Sequence, residues 1–148
     1  MAANSNSGLT IEISTTAQNA VVANAAAYAA LTYTAIGSVG KLGARGIDTN
    51  ILTYATLDEV VTQKAKGMTN AGDPEVECAN LPADAGQVAM TAAGLPTVKD
   101  AYAFKITVNG EVYYDRGIVT GPVFPGGGNE DFDLAVFKLG LVQAVIQA

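Results

Sequence analysis

The stretch Tyr102-Ala103-Phe104-Lys105-Ile106-Thr107-Val108-Asn109-Gly110-Glu111-Val112-Tyr113-Tyr114 decides the fold class. Phe104, Ile106 and Val108 recur at every second residue, which puts them on one face of a strand. Asn109-Gly110 is the preferred pair for a two-residue type I′ turn, because both residues tolerate positive φ. The chain then returns from Glu111 to Phe124, with Gly117 as a bulge position.

Downstream of this hairpin, Pro125 to Asp131 reads as a loop, and a last strand starts near Phe132. From Leu134 to Ile146 that strand is apolar on both sides: Leu134 and Val136 on one, Phe137, Leu139 and Leu141 on the other. A strand with one wet face would alternate cleanly. Two apolar faces point to one face on the core and one on a neighbouring subunit, with Leu134, Val136, Phe137 and Leu139 as the interface candidates. Upstream, Asp84 and Gln87 are spaced like a capping box, with Pro82 before and Gly94 after an apolar run. That pattern predicts one short helix over about residues 85–93. Glu75 to Leu81 reads as a strand with Glu75 and Glu77 on one face and Val76 and Cys78 on the other.

Nearer the start, Leu9, Ile11 and Ile13 alternate with polar residues as a short strand, and Leu31–Val39 and Ile47–Leu57 are β-rich. Three glycines between Gly40 and Gly46 mark a loop or a bent strand. Residues 15–31, rich in Ala and Asn without a charged face, read as an extended loop, and residues 1–8 as a loose arm. The expected fold is mainly β: a β-sandwich or barrel of two antiparallel sheets, one short helix and long inter-strand loops, in one domain over 1–148.

A chain of 148 residues is one domain's worth. Hydrophobic residues make up 49% and charged residues 15%, against an average near 25% charged, so the surface is short of charge. The longest apolar run, Ala20–Leu31, is mostly alanine, broken by Asn24, and shorter than the ~20 residues of a membrane span. Residues 1–8 hold no Lys or Arg and do not look like a signal peptide. The expectation is a protein made in a cytoplasm, without a membrane partner, whose apolar surface is covered by further copies of itself.

A net charge of −6 and a pI near 4.4 disfavour a protein that grips nucleic acid, though not one that nucleic acid slides past. The absence of histidine excludes Ser–His and Cys–His catalysis, and a single cysteine excludes cysteine-cluster zinc and an intrachain disulfide. Gly40-Lys41 is not a phosphate loop, since Leu42 stands where Ser or Thr would hold magnesium. Asn129-Glu130-Asp131-Phe132-Asp133 lacks the spacing of a calcium loop. Carboxylates at Asp58-Glu59 and at Asp73, Glu75 and Glu77 allow a carboxylate hydrolase only in principle. Cys78, on the apolar side of its strand, reads as a small buried hydrophobe. No cofactor, metal or enzymatic activity is expected.

The ordered series Ile36-Gly37-Ser38-Val39, Arg45-Gly46-Ile47-Asp48-Thr49, Asp84-Ala85-Gly86-Gln87, Tyr102 to Gly110, Gly117-Ile118-Val119 and a final strand ending at Gly140 resembles the tail tube (major tail) proteins of long, non-contractile-tailed bacteriophages. The match spans roughly residues 31–141. The resemblance implies a β-sandwich subunit that forms hexameric rings, with inner sheets joined into one barrel and rings stacked into a tube. It implies an inter-ring loop at about residues 40–59, which includes Lys41, Arg45, Asp48 and Asp58. The implied partners are further copies of the chain, a tape-measure protein, and tail terminator and distal tail proteins, with DNA passing the lumen without specific binding. The location implied is the virion tail. Ring closure also removes exposed sheet edges. Glu12, Glu75 and Glu77 are candidates for an acidic lumen, because each sits opposite an apolar strand face. The alternatives are a tube protein of a contractile tail or type VI-like system, and a β-sandwich virion decoration or adhesion domain.

Overall fold

A computed structural model describes residues 3–58 and 60–148. Met1 and Ala2 of the loose arm, and Glu59 of the Asp58-Glu59 pair, lie outside the described residues. The elements in order are β1 (Thr10–Ser14), α1 (Ala25–Ala29), β2 (Tyr33–Ala35), β3 (Val39–Leu42), β4 (Asp48–Tyr54), β5 (Gln63–Asn70), β6 (Glu75–Ala79), α2 (Ala85–Ala93), β7 (Tyr102–Val108), β8 (Glu111–Val123) and β9 (Leu134–Gln147). All pairings are antiparallel, in a seven-stranded sheet of order β2-β1-β7-β8-β9-β6-β3 and a separate β4-β5 pair. The mainly β sandwich expected from the alternation is the fold observed.

The large sheet folds over on itself. β1 and β6 are four strands apart in it, which on a flat sheet is about 19 Å at ~4.8 Å per strand. Yet Ile11 and Ile13 of β1 share one core with Val76 and Cys78 of β6. β8 and β9 make the bend. The first half of β8 pairs with β7 from Val108↔Glu111 to Tyr102↔Gly117, while its second half reaches Val123↔Val136 on β9. Along β8–β9 the register slips at three places, one of them Arg116/Gly117, where the sequence predicts a bulge. A Cβ at residue 117 would stand 2.5 Å from the Gly140 carbonyl oxygen, so only glycine lets the two backbones close up there. The turn at Asn109-Gly110 has φ of 51° and 82°, as a type I′ turn requires. Its Asn109 amide donates to the Ser5 carbonyl at 2.7 Å, so the arm is held at that point.

Phe104, Phe137, Leu139 and Ile106 fill the space between the layers. Each such side chain contributes about 1.5–3 kcal/mol when fully buried. α2 packs Met90 and Ala93 into this core. Its start follows the sequence: the Asp84 carboxylate accepts from the Gln87 amide at 3.0 Å. Gln87 does not complete a capping box. Its amide side chain instead accepts from Leu81 N–H and donates to the Gly37 and Ala79 carbonyls, tying helix, β6 and the crossover after β2 together. Asp84 also accepts from Gly37 N–H at 3.0 Å. Asp84→Ala therefore strands two donors and is expected to destabilise by about 1–2 kcal/mol, read as a lowered thermal midpoint. An unchanged midpoint would show that neither bond matters.

Three local readings are corrected. Residues 15–31 are not wholly an extended loop. They run extended to Val22 and then form α1, with Asn24 capping Ala27 N–H at 2.9 Å. What decides the helix is tertiary: Tyr28 is fully buried and stacks on Tyr114, centroids 5.1 Å apart. Burial pushes the Tyr28 phenol up to about 12. The extended part is strapped to the sheet by Gln143, which bonds both backbone groups of Val22, and by Arg116, which donates to the Gln18 carbonyl. Second, Leu31–Val39 holds β2 and only the first residue of β3, which runs on to Leu42 in the glycine-rich stretch; the two strands are on opposite edges of the large sheet, with the chain crossing between them through Ser38 at φ 55°. Third, β5 has no counterpart in the sequence reading.

Candidate assembly surfaces

In the described residues β4 and β5 pair only with each other, from Asp48↔Asn70 to Tyr54↔Gln63. Among the described residues they add none to the core. Residues that share a face pair across the ladder, so Ile51, Thr53, Lys64 and Lys66 stand on one side and Leu52, Tyr54 and Ala65 on the other. Ile51, Leu52, Tyr54 and Met68 are exposed, and Leu57 and Val60 near the tip are completely so. A two-stranded hairpin is marginal in water by itself. One with apolar residues on both faces and no support from its own subunit is a surface made to be covered.

Its base is held firmly. Gly46 N–H donates to the Ala71 carbonyl, and Leu141 and Leu139 N–H donate to the Gly72 and Pro74 carbonyls. Arg45 Nε donates to Asp115 Oδ2 at 2.7 Å, and the guanidinium lies 5.4 Å from the centre of the Tyr113 ring. Asp115 is 1% exposed. Burial raises its carboxyl above the ordinary value, and the charge of Arg45 works in the opposite direction. The hairpin is thus a stiffly rooted projection, not a slack loop.

The structure redistributes the residues singled out in the sequence. The expected inter-ring loop at 40–59 covers β3, the rooted turn and only half of the projection, which runs on to Asn70. Within it, Asp48 and Asp58 are exposed on the projection, Lys41 lies on the edge strand β3 opposite Glu77, and Arg45 is committed to Asp115 inside the subunit. Of the four interface candidates on the last strand, Phe137 and Leu139 are each 1% exposed and belong to the core. Only Leu134 and Val136 look outward. Glu12 points away from the core of one layer, 3.9 Å from Lys105. Glu75 and Glu77 point away from the core of the other, opposite Lys138 and Lys41. Those two outer faces lie on opposite sides of the sandwich, so the three acids do not line one wall. Cys78 is fully buried with Sγ 3.4 Å from the Ala135 carbonyl oxygen, and burial pushes the thiol up.

Besides α1, sequence reading missed two features that bear on assembly. One is β5 and with it the full length of the projection. The other is a groove of about 470 Å³ beside α2, whose walls are mostly apolar: Pro82, Val88, Leu95, Pro122 and Phe124. A larger cleft of about 890 Å³ opens beside the 40–45 turn, between Leu9, Leu42, Ile106 and Tyr113. Among the described residues no three Asp, Glu or Cys side chains gather as a metal site, and no helix is long and apolar enough to cross a membrane.

No protein-family model and no curated protein sequence matches the chain. Solved structures do. A chain from the sheath/tube terminator of an extracellular contractile injection system (PVC) in its extended state superposes with a TM-score of 0.68 at 8% identity, covering 100% of this chain and 98% of that one. A chain from the anti-feeding prophage (AFP) baseplate, 6-fold symmetrised, gives 0.66 at 11% identity, covering 100% and 97%. One from the PVC sheath-tube complex in the extended state gives 0.61 at 11%, covering 95% and 87%. Two of these neighbours come from a contractile injection system, whereas the sequence resembles proteins of long non-contractile tails. At such identities the likeness is one of fold, shared with chains of a sheath/tube terminator, a sheath-tube complex and a baseplate.

Proposed function

We propose that this chain is a non-enzymatic structural subunit of a phage-tail-like tube, which joins other copies through the β4–β5 projection. The observation that carries the reading is the projection itself: rooted by a buried ion pair, with exposed apolar side chains on both faces, and uncovered by its own subunit. The shared fold with chains of a sheath-tube complex supports it, and a neighbouring baseplate that is sixfold symmetrised favours hexameric rings. The contractile type replaces the non-contractile one as the preferred context. Once the projection has docked, the end strands β2 and β3 of the large sheet can pair with adjacent subunits, which would close the ring and remove both edges. A tape-measure protein and DNA as contents of the lumen remain part of the proposal. Each of the three acids facing out of a layer has a lysine opposite it, which works against an acidic wall at those positions.

A second reading has its own support. The terminator chain is matched over nearly all of both chains, more completely than the tube chain. A terminator would form a single ring and stop. Negative-stain microscopy of the purified protein at high concentration separates the two: stacked tubes are expected for a tube subunit and isolated rings for a terminator. Particles that remain single subunits by microscopy and light scattering, under every condition, would sink both.

A further inference from the structure

We propose that the groove beside α2 is the socket for the β4–β5 projection of a neighbouring copy. This rests on the assembly reading above and adds the acceptor surface that it leaves open. The first argument is position. The projection leaves the sandwich at the Glu75 end of β6, where Asn70 to Pro74 lead into the strand. The groove lies at the Ala79 end, where Asn80 and Pro82 enter its wall. β9 gives the same ordering: Leu139 and Leu141 bond the root of the projection, while Ala135 and Phe137 border the groove. The two features are therefore offset along the strands: on β9 Leu139 at the root and Phe137 at the groove are two residues apart, about 7 Å at ~3.4 Å per residue. A knob and a hole at different places on one subunit make a head-to-tail contact, which repeats from copy to copy and closes into a ring or continues as a stack.

The second argument is chemistry. Val88, Leu95 and Phe124 are each about half exposed around an apolar groove of ligand-cleft size. Leu57 and Val60 are the fully exposed apolar side chains near the projection's tip. The third is charge. The projection carries exposed Lys64 and Lys66 on one face. The loop that follows Phe124 carries Glu130, Asp131 and Asp133, all exposed. Asp133 accepts from Asn80, itself a wall residue of the groove, at 3.1 Å. The stem lysines would meet this acidic rim while Asp48 at the base and Asp58 at the tip would be held off it, which sets the register of the contact.

Complementation of two defective variants tests the pairing. Leu57→Asp with Val60→Asp spoils the knob and keeps the socket; Val88→Asp with Leu95→Asp spoils the socket and keeps the knob. All four positions are exposed, so circular dichroism and the unfolding midpoint should stay near wild type. Each variant alone is expected to remain monomeric in light scattering at concentrations where the wild type assembles. Mixed, they restore one knob-socket contact and should give 1:1 dimers that grow no further. As an independent readout, a Leu57→Cys, Leu95→Cys protein should form intermolecular disulfides under mild oxidation at high concentration, and neither single variant should form a ladder beyond dimers. A socket variant that still polymerises, or an assembling double-cysteine protein without the 57–95 bond, overturns the socket and leaves the assembly reading standing. A wild type that never self-associates sinks both.

Discussion

Excising residues 49–69 and joining Asp48 to Asn70 through an Asn-Gly turn is expected to leave a folded protein that has lost all assembly. Asp48 and Asn70 face each other across the ladder, so a two-residue turn can bridge them without disturbing the root. The excised residues add nothing to the core among those described, and the Arg45–Asp115 pair, the Ala71 carbonyl and the Gly72 and Pro74 contacts to β9 all lie outside the cut. The unfolding free energy should change by no more than about 0.5 kcal/mol, as for surface changes away from special features. Shortening a loop costs little in closure entropy and even lowers it. Light scattering and negative-stain microscopy then read the function: single subunits, with no rings or tubes at any concentration where the wild type forms them. Tubes of wild-type length would show that the projection is dispensable. A collapsed midpoint would show that it supports its own subunit, against the bare surfaces of Ile51, Leu52 and Tyr54.

What the sequence disclosed follows from where its signals are local. The type I′ turn at Asn109-Gly110, the Asp84 cap and the two-residue alternation of β1, β6 and β7 are each set by residues a few positions apart, and each is found in place. The bulge at Gly117 was legible for the same reason. β5 was not, because a strand with no buried face has no apolar period to show: Lys64, Lys66 and Gly67 interrupt any alternation, and its only partner is β4. α1 was hidden because five residues of alanine and tyrosine gain their helix from Tyr28 stacking on Tyr114, eighty-six positions away in sequence. The two apolar faces of β9 were read correctly, yet which face met the core depended on the fold-over of the sheet, and that put Phe137 and Leu139 inside. Arg45, expected in the inter-ring loop, is committed inside the subunit instead, because its carboxylate partner, Asp115, lies seventy residues on and gives no local signal.

That pair carries the second large effect. Arg45→Met is expected to destabilise the subunit by about 3 kcal/mol at neutral pH, because it leaves a buried carboxylate without its cation. The sign with pH follows from Asp115. Its native carboxyl already lies above the ordinary value of 3.8, since burial outweighs the attraction of Arg45. A raised native value means that the folded state holds the proton longer than the unfolded state does. The contribution is then fully present below the unfolded value and is lost as pH rises through the native one. Without Arg45 the native value moves higher still, so the loss continues over a wider range, at about 1.4 kcal/mol per pH unit. The variant should therefore lie close to wild type under acid conditions, where the carboxyl is neutral in both, and fall progressively below it toward neutral pH. Chemical denaturation across that range reads the divergence. Adding Asp115→Asn to Arg45→Met removes the charge that needs a partner, so the double variant should recover most of the loss and show a flatter pH dependence than the single one. A gap between Arg45→Met and wild type that is constant with pH would mean that Arg45 acts by packing on Tyr113 alone. Because the same pair roots the β4–β5 projection, assembly of the single variant should weaken in step with its stability as pH rises, while the double variant, stable but unrooted, separates the two effects.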